Sequence, residues 1–281
     1  MTYFEFLAIF VGIPLAILVL LTWLDYRQER PLPRYLTSVP AGWVLTVLVL
    51  VAVIYTTPWD NYLVATQVWW YDPNLVTGLT LGWVPIEEYA FFILQTIISG
   101  LWLLWLARRI VPARGKLRIQ QSLRWGITLV LGVFWLLAVV VLAMDWQPGT
   151  YLALILIWAL PPIMIQTAFG ADILWHYRRL VLLGILVPTL YLSTADSMAI
   201  RAGTWTISPA QSLSVYLPGG LPMEEFLFFL VTNILIVFGI TLILARESWL
   251  RFSRSFNYDF ASFESKDQRL KVKPVPVRKD R

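Results

Sequence analysis

Seven apolar runs divide this chain of 281 residues, at 3–24, 39–56, 84–106, 125–144, 150–170, 179–195 and 219–245. A helix needs ~20 consecutive apolar residues to cross the hydrocarbon core of a bilayer. Several runs reach that length, and the second and sixth are the shortest. With 58% of its residues hydrophobic, 14% charged and a mean hydropathy of +0.68, the chain does not read as a soluble domain. The expected fold class is all-α integral membrane, with seven transmembrane helices.

The residues between the runs set the orientation. Arg27, Arg30 and Arg34 follow the first run, and Arg108, Arg109, Arg114, Lys116, Arg118 and Arg124 lie between the third and fourth. Arg178 and Arg179 precede the sixth, and ten more basic residues follow the seventh. The opposite loops are read as holding Asp60, Asp72, Asp145 and Asp196, with Arg201 as their one basic residue. Basic residues favour the cytoplasmic side, so the N-terminus is expected outside and the C-terminus inside. The net charge of +5 then faces anionic lipid and implies no nucleic acid. Met-Thr-Tyr-Phe-Glu offers no basic n-region, and no small-residue cleavage site follows the first run, which reads as a retained helix of a multi-pass protein of the cytoplasmic membrane.

Cysteine is absent and His176 is the sole histidine, which excludes thiol chemistry and a multi-histidine metal site. No Gly-x-Gly-x-x-Gly opens a strand–helix unit, so no dinucleotide fold is expected, and no cofactor or metal is predicted. The segment 246–281 is polar and basic and reads as a disordered, surface-associated cytoplasmic tail.

One phrase occurs twice. Pro85-Ile86-Glu87-Glu88-Tyr89-Ala90-Phe91-Phe92 and Pro222-Met223-Glu224-Glu225-Phe226-Leu227-Phe228-Phe229 each open a long apolar run, 137 positions apart. Asp60 lies nine residues before Trp69, and Asp196 nine before Trp205, at an offset of 136. Pro14 and Pro161-Pro162 interrupt comparable runs earlier in each half. The layout expected is a three-helix repeat over 1–110, a cytoplasmic loop and linker helix over 111–148, and a second three-helix repeat over 149–245. Because the linker helix restores direction, the two repeats are expected to run parallel about an axis along the membrane normal.

Paired carboxylates at a bilayer edge are costly to desolvate, so the glutamates are candidate functional groups. The plain alternative is that they cap their helices, which carboxylates at a helix N-terminus favour. Adjacent helix residues point about 100° apart, so the two members of a pair cannot face one cavity equally. Glu88 shares a face with Phe91, Phe92 and Gln95, and Glu225 with Phe228, Phe229 and Thr232, which leans towards the second glutamate of each pair. The full candidate set is Glu87, Glu88, Glu224 and Glu225 for the chemistry and Phe91, Phe92, Phe228, Phe229, Trp69 and Trp205 around the substrate. Asp60, Asp196, Arg201, Pro85 and Pro222 are read as supporting. Arg201 is expected either to pair with an acid such as Asp196 or to be a plain loop arginine.

A carboxylic acid in an aromatic-lined apolar cavity keeps its proton near neutral pH, because burial penalises the anion. Ring faces stabilise a developing cation, and a neighbouring carboxylate can accept a proton afterwards. That combination suits acid-initiated isomerisation of an alkene dissolved in the bilayer.

The two Pro-x-Glu-Glu phrases with their Phe pairs, and Trp59-Asp60-Asn61-Tyr62-Leu63-Val64 running to Trp69-Trp70-Tyr71, resemble the membrane-embedded, non-flavoprotein lycopene cyclases of bacteria, archaea and fungi. That family also occurs as heterodimers of two short three-span subunits. The resemblance covers roughly 1–245 and departs in one place: Thr194-Ala195-Asp196-Ser197 stands where the first half has Pro58-Trp59-Asp60-Asn61. It implies lycopene as substrate and β-ionone rings as product, giving γ- and then β-carotene. It also implies a bilayer setting, with self-association or association with other carotenoid enzymes left open.

Other classes fit less well. A retinal receptor needs a lysine inside a helix, and Lys116, Lys266, Lys271, Lys273 and Lys279 all lie in segments read as cytoplasmic. An intramembrane protease would need further histidines, and a prenyltransferase Asp-rich Mg²⁺ clusters. A proton-coupled transporter, or a cyclase of C50 or ε-ring carotenoids, stays open as an alternative.

Overall fold

A computed structural model describes residues 1–110 and 117–256. Arg114, Lys116 and the tail segment 257–281 lie outside the described residues. Seven helices are long and apolar enough to cross a membrane: α1 (Tyr3–Arg27), α2 (Ala41–Ala65), α3 (Ile86–Ala107), α4 (Gln121–Ala143), α5 (Thr150–His176), α6 (Arg178–Arg201) and α7 (Met223–Leu244). The molecule is thus an all-helical, multi-pass membrane protein. An eighth helix, α8 (Arg246–Phe256), follows α7 directly. The reading of a disordered tail from residue 246 is corrected over this stretch. Trp249 and Phe252 are spaced one turn apart within a basic sequence, and composition alone hides that periodicity.

The helices sort by burial. α3, α6 and α7 bury most of their central residues, whereas α2 and α4 bury almost none and present Val, Leu, Ile and Trp outward. An apolar exterior around a polar-containing centre suits a bilayer, where helices gain nothing by hiding leucine from lipid. They associate through small residues and interhelical hydrogen bonds. Both devices are present here. Ser99 on α3 donates to Asn233 Oδ1 on α7 at 2.6 Å, and Asn233 donates to Thr189 Oγ1 on α6 at 3.2 Å. Gly100 lies against Leu45 of α2, and Gly184 against Leu103 of α3, where an added Cβ would come within 2.2 and 2.8 Å of those side chains.

Two buried acids fasten the arginine-rich end. Arg109 grips Asp25 of α1 through both guanidinium nitrogens, at 2.6 and 2.8 Å, and lies 4.0 Å over the Trp105 ring. Arg251 of α8 grips Asp172 of α5 in the same bidentate way, at 2.7 and 2.9 Å.

At the other end, short strands tie the connections together. β1 (Trp69–Tyr71) follows α2; β2 (Thr80–Leu81) and β3 (Val84–Pro85) form a hairpin leading into α3. β4 (Trp205–Ile207) follows α6, and β5 (Tyr216–Leu217) and β6 (Leu221–Pro222) form the hairpin into α7. β1 and β4 pair antiparallel, Trp69 opposite Ile207 and Tyr71 opposite Trp205, and so join connections from the two ends of the chain. Gly82, at φ +72°, turns the first hairpin against Asn61, whose Oδ1 accepts from Trp83 N at 2.7 Å. A Cβ there would lie 2.1 Å from that oxygen, so only glycine fits.

The structure corrects the reading of Asp60 and Asp196 as loop residues. Both belong to the last turns of helices, α2 and α6, which run past the ends expected at 56 and 195. Hydropathy falls at these acids because they are polar, yet both are buried and face inward.

Candidate functional site

The hairpins deliver Pro85 and Pro222 to the N-cap positions of α3 and α7, with each glutamate pair in the first turn beyond. Pro85 and Pro222 offer no capping side chain, and both glutamates of each pair stand in the first turn, where the helix dipole favours an anion. The two members of each pair are used differently. Glu87 turns back to the preceding loop and accepts from the backbone N–H of Thr77 at 2.6 Å. Glu224 does the same for Leu213 N at 2.7 Å. Glu88 and Glu225 turn the other way, into a common cavity.

That cavity is lined by the acids Glu88, Glu225, Asp60 and Asp196 and by a wall of rings. Its open space is about 40 Å³, well below the ~300–1,000 Å³ common for ligand pockets, so the acids and rings stand nearly closed on one another. All six aromatic residues expected around a substrate, Phe91, Phe92, Phe228, Phe229, Trp69 and Trp205, line it. Phe91 and Phe229 meet edge to face at 6.2 Å, joining α3 to α7. Trp59, Trp158 and Phe228 pack as a triangle of rings, with centroids 4.6, 5.8 and 6.0 Å apart.

The acids are held by groups that sequence reading missed. Tyr3, at the start of α1, donates to Glu88 Oε2, and Tyr71 of β1 donates to the same oxygen at 2.9 Å. Tyr151, at the start of α5, donates to Glu225 Oε1 at 2.6 Å. Tyr3 and Tyr151 are fully buried, and burial together with the nearby Glu88 raises Tyr71 well above its ordinary value, so that hydroxyl stays a donor. Tyr3 and Tyr151 stand 148 positions apart, as do Pro14 and Pro162, and that shared offset was the signal available. Trp205 Nε1 donates to Asp196 Oδ1 at 3.0 Å. Asp60, 1% exposed, has no hydrogen-bond partner on either carboxyl oxygen among the described residues.

Glu87 and Glu224 do not line the cavity. Arg201 is exposed and forms no ion pair among the described residues, so the expected pairing with an acid is not made; the plain loop role fits it better, although it closes α6 rather than standing in a loop. No group of three or more metal-ligating side chains is found among the described residues.

The helices of this membrane protein bring buried acids and aromatic rings together in one cavity. The chain is 37% identical over 241 residues to a lycopene beta-cyclase of Halobacterium salinarum, covering 86% of this chain and 95% of that protein. It is 38% identical over 203 residues to a bifunctional lycopene cyclase/phytoene synthase of Aspergillus oryzae, and 41% over 199 residues to one of Phaeosphaeria nodorum. Those matches take in 71% and 68% of this chain but about a third (34%) of each fungal protein. The chain belongs to the lycopene cyclase family. No family model and no solved structure matches it.

Proposed function

We propose that this protein is a lycopene β-cyclase, converting the acyclic ends of lycopene to β-ionone rings and giving γ- and then β-carotene. The observation that carries the reading is the meeting of Glu88, Glu225, Asp60 and Asp196 with aromatic rings in one apolar cavity. A motif glutamic acid, Glu88 or Glu225, protonates C2 of the terminal alkene and leaves a tertiary cation at C1. The C5–C6 double bond attacks C1, the C1–C6 bond closes the ring, and the cation moves to C5. A carboxylate of the cavity removes the proton from C6. The proton gained equals the proton lost, so the step is an isomerisation without net redox change.

Phe91, Phe92, Phe228, Phe229, Trp69 and Trp205 present faces or edges to the reacting end, and a ring face stabilises a cation by ~0.5–2 kcal/mol. Glu87 and Glu224 position the loops over the cavity through Thr77 and Leu213. Asp60, with no partner of its own, is the cavity acid freest to exchange a proton with the substrate or with Glu88.

The matched hydrogen bonds of the two motifs support reading 1–110 and 149–245 as parallel repeats joined by α4. The basic excess at the end away from the acids supports an outer N-terminus, an inner C-terminus and residence in the cytoplasmic membrane. The test is pigment chromatography of a lycopene-accumulating bacterial host expressing this chain. New γ- or β-carotene, absent from a Glu88→Gln/Glu225→Gln variant, is expected. Unchanged lycopene with intact protein in the membrane would overturn the reading in favour of another carotenoid or a transport role.

A further inference from the structure

The cavity sits at one end of the bundle, against the first turns of α3 and α7. A C40 polyene is about as long as the bilayer hydrocarbon is thick (~30 Å), so most of it must lie elsewhere while one end reacts. Trp59 lines the acid cavity and also lines a lipid-facing apolar groove between α2 and α5, whose other walls include Val51, Ile54, Ile157 and Trp158. One turn further along α2, Leu48 lines a second apolar hollow with Ile165 and Phe169 of α5 and Gly239 of α7. Gly239 keeps this floor low: a Cβ there would stand 3.2 Å from Leu48. The two hollows lie along about 22 Å of α5, from Leu154 to Phe169, at the helical rise.

The boundary between cavity and groove is built from unusual backbone. Pro58, Pro161 and Pro162 each lack the N–H that would bond the carbonyl four residues earlier, at Ile54, Ile157 and Trp158. Tyr55 of α2 supplies the donor missing at Trp158, reaching its carbonyl at 2.9 Å, and Trp59 Nε1 reaches the Leu154 carbonyl at 3.0 Å. α2 and α5 are therefore joined here by two side-chain bonds, beside helix turns that prolines have loosened.

We infer that the α2–α5 groove holds the non-reacting length of the polyene, and that the Trp59–Trp158 stack is the threshold across which its end passes from the bilayer to the acids. This rests on the cyclase reading. The occupant is fixed by continuity, since Trp59 belongs to both spaces, and by chemistry, since the groove walls are almost wholly apolar. The groove thus sets which substrates are taken by length, separately from the chemistry of their ends.

Ile54, 71% exposed, and Ile157 face each other across the groove and touch none of the four acids, so filling between them leaves the cavity untouched. The experiment compares the parent chain, Ile54→Trp/Ile157→Trp and Ile54→Ala/Ile157→Ala in membranes. Each is given lycopene and a short acyclic polyene with the same end group but a chain ending before the groove. The Trp pair is expected to cyclise lycopene at least tenfold more slowly than the parent while keeping the parent's rate on the short substrate. The Ala pair, which removes the same contacts without filling the groove, should slow lycopene by a smaller factor and keep the parent's rate on the short substrate. If the Trp pair treats the two substrates alike, whether both rates are kept or both lost, the inference is overturned; a lipid or a second copy of the chain filling the groove would give both kept. A parent chain that cyclises neither substrate refutes the cyclase reading itself, which is a different result.

Discussion

Tyr151 donates its hydroxyl to Glu225 at 2.6 Å, tying the first turn of α5 to the first turn of α7, 74 residues later. Tyr3 makes the matching bond from α1 to Glu88. Each cavity glutamate is thus aimed by a residue from another helix.

Removing these hydroxyls tests how much the aim matters. Tyr151→Phe and Tyr71→Phe should each keep the fold and lower the cyclisation rate about tenfold, because the ring stays while the donor to the carboxyl is lost. Initial rates of γ-carotene formation in membranes check this, and unchanged rates would leave the tyrosines a packing role only.

The two members of each glutamate pair should separate cleanly. Glu88→Gln and Glu225→Gln are expected to lose at least ~100-fold in rate, the usual scale for a missing general acid or base. Glu87→Gln and Glu224→Gln keep a carbonyl for Thr77 and Leu213 and should lose far less. Glu87→Ala, which leaves that N–H without its acceptor, should cost about 1–2 kcal/mol of stability. Parallel pigment assays and thermal melts in detergent distinguish the two kinds of defect.

Gly82 should tolerate no side chain. Gly82→Ala adds a Cβ 2.1 Å from Asn61 Oδ1 in addition to the strain of φ +72°, whereas Gly203→Ala has the same φ and open space. The melting temperature should fall much more for the first variant than for the second; equal falls would mean that Asn61 simply moves aside.

At the opposite end, Arg109→Ala strands Asp25, which is 2% exposed, and should destabilise by about 3 kcal/mol. Asp25→Ala/Arg109→Ala removes the stranded charge as well and should recover part of that loss. A double variant no better than the single would show that Arg109 acts through its stacking on Trp105.

The seven spans were legible because lipid-facing helices must be apolar along their length, and the second glutamate of each pair was legible from its spacing to the phenylalanines. Asp60 and Asp196 misled because hydropathy records that a side chain is polar and not which way it faces. The pairing of Asp25 with Arg109 and of Asp172 with Arg251 could not be read, since such partners are chosen by packing across 84 and 79 residues. Tyr3 and Tyr151 were recoverable in principle from their common offset. Nothing local marks either one, and each acquires its meaning only when the far glutamate arrives.

The cavity takes one glutamate, one aspartate, one aiming tyrosine at a helix start and the motif's two phenylalanines from residues 1–110, and the same from residues 149–245. Neither segment encloses it alone, and α4 contributes no wall. The candidate site is, geometrically, like a subunit interface, and a chain severed within α4 should yield two inert pieces whose activity returns on mixing.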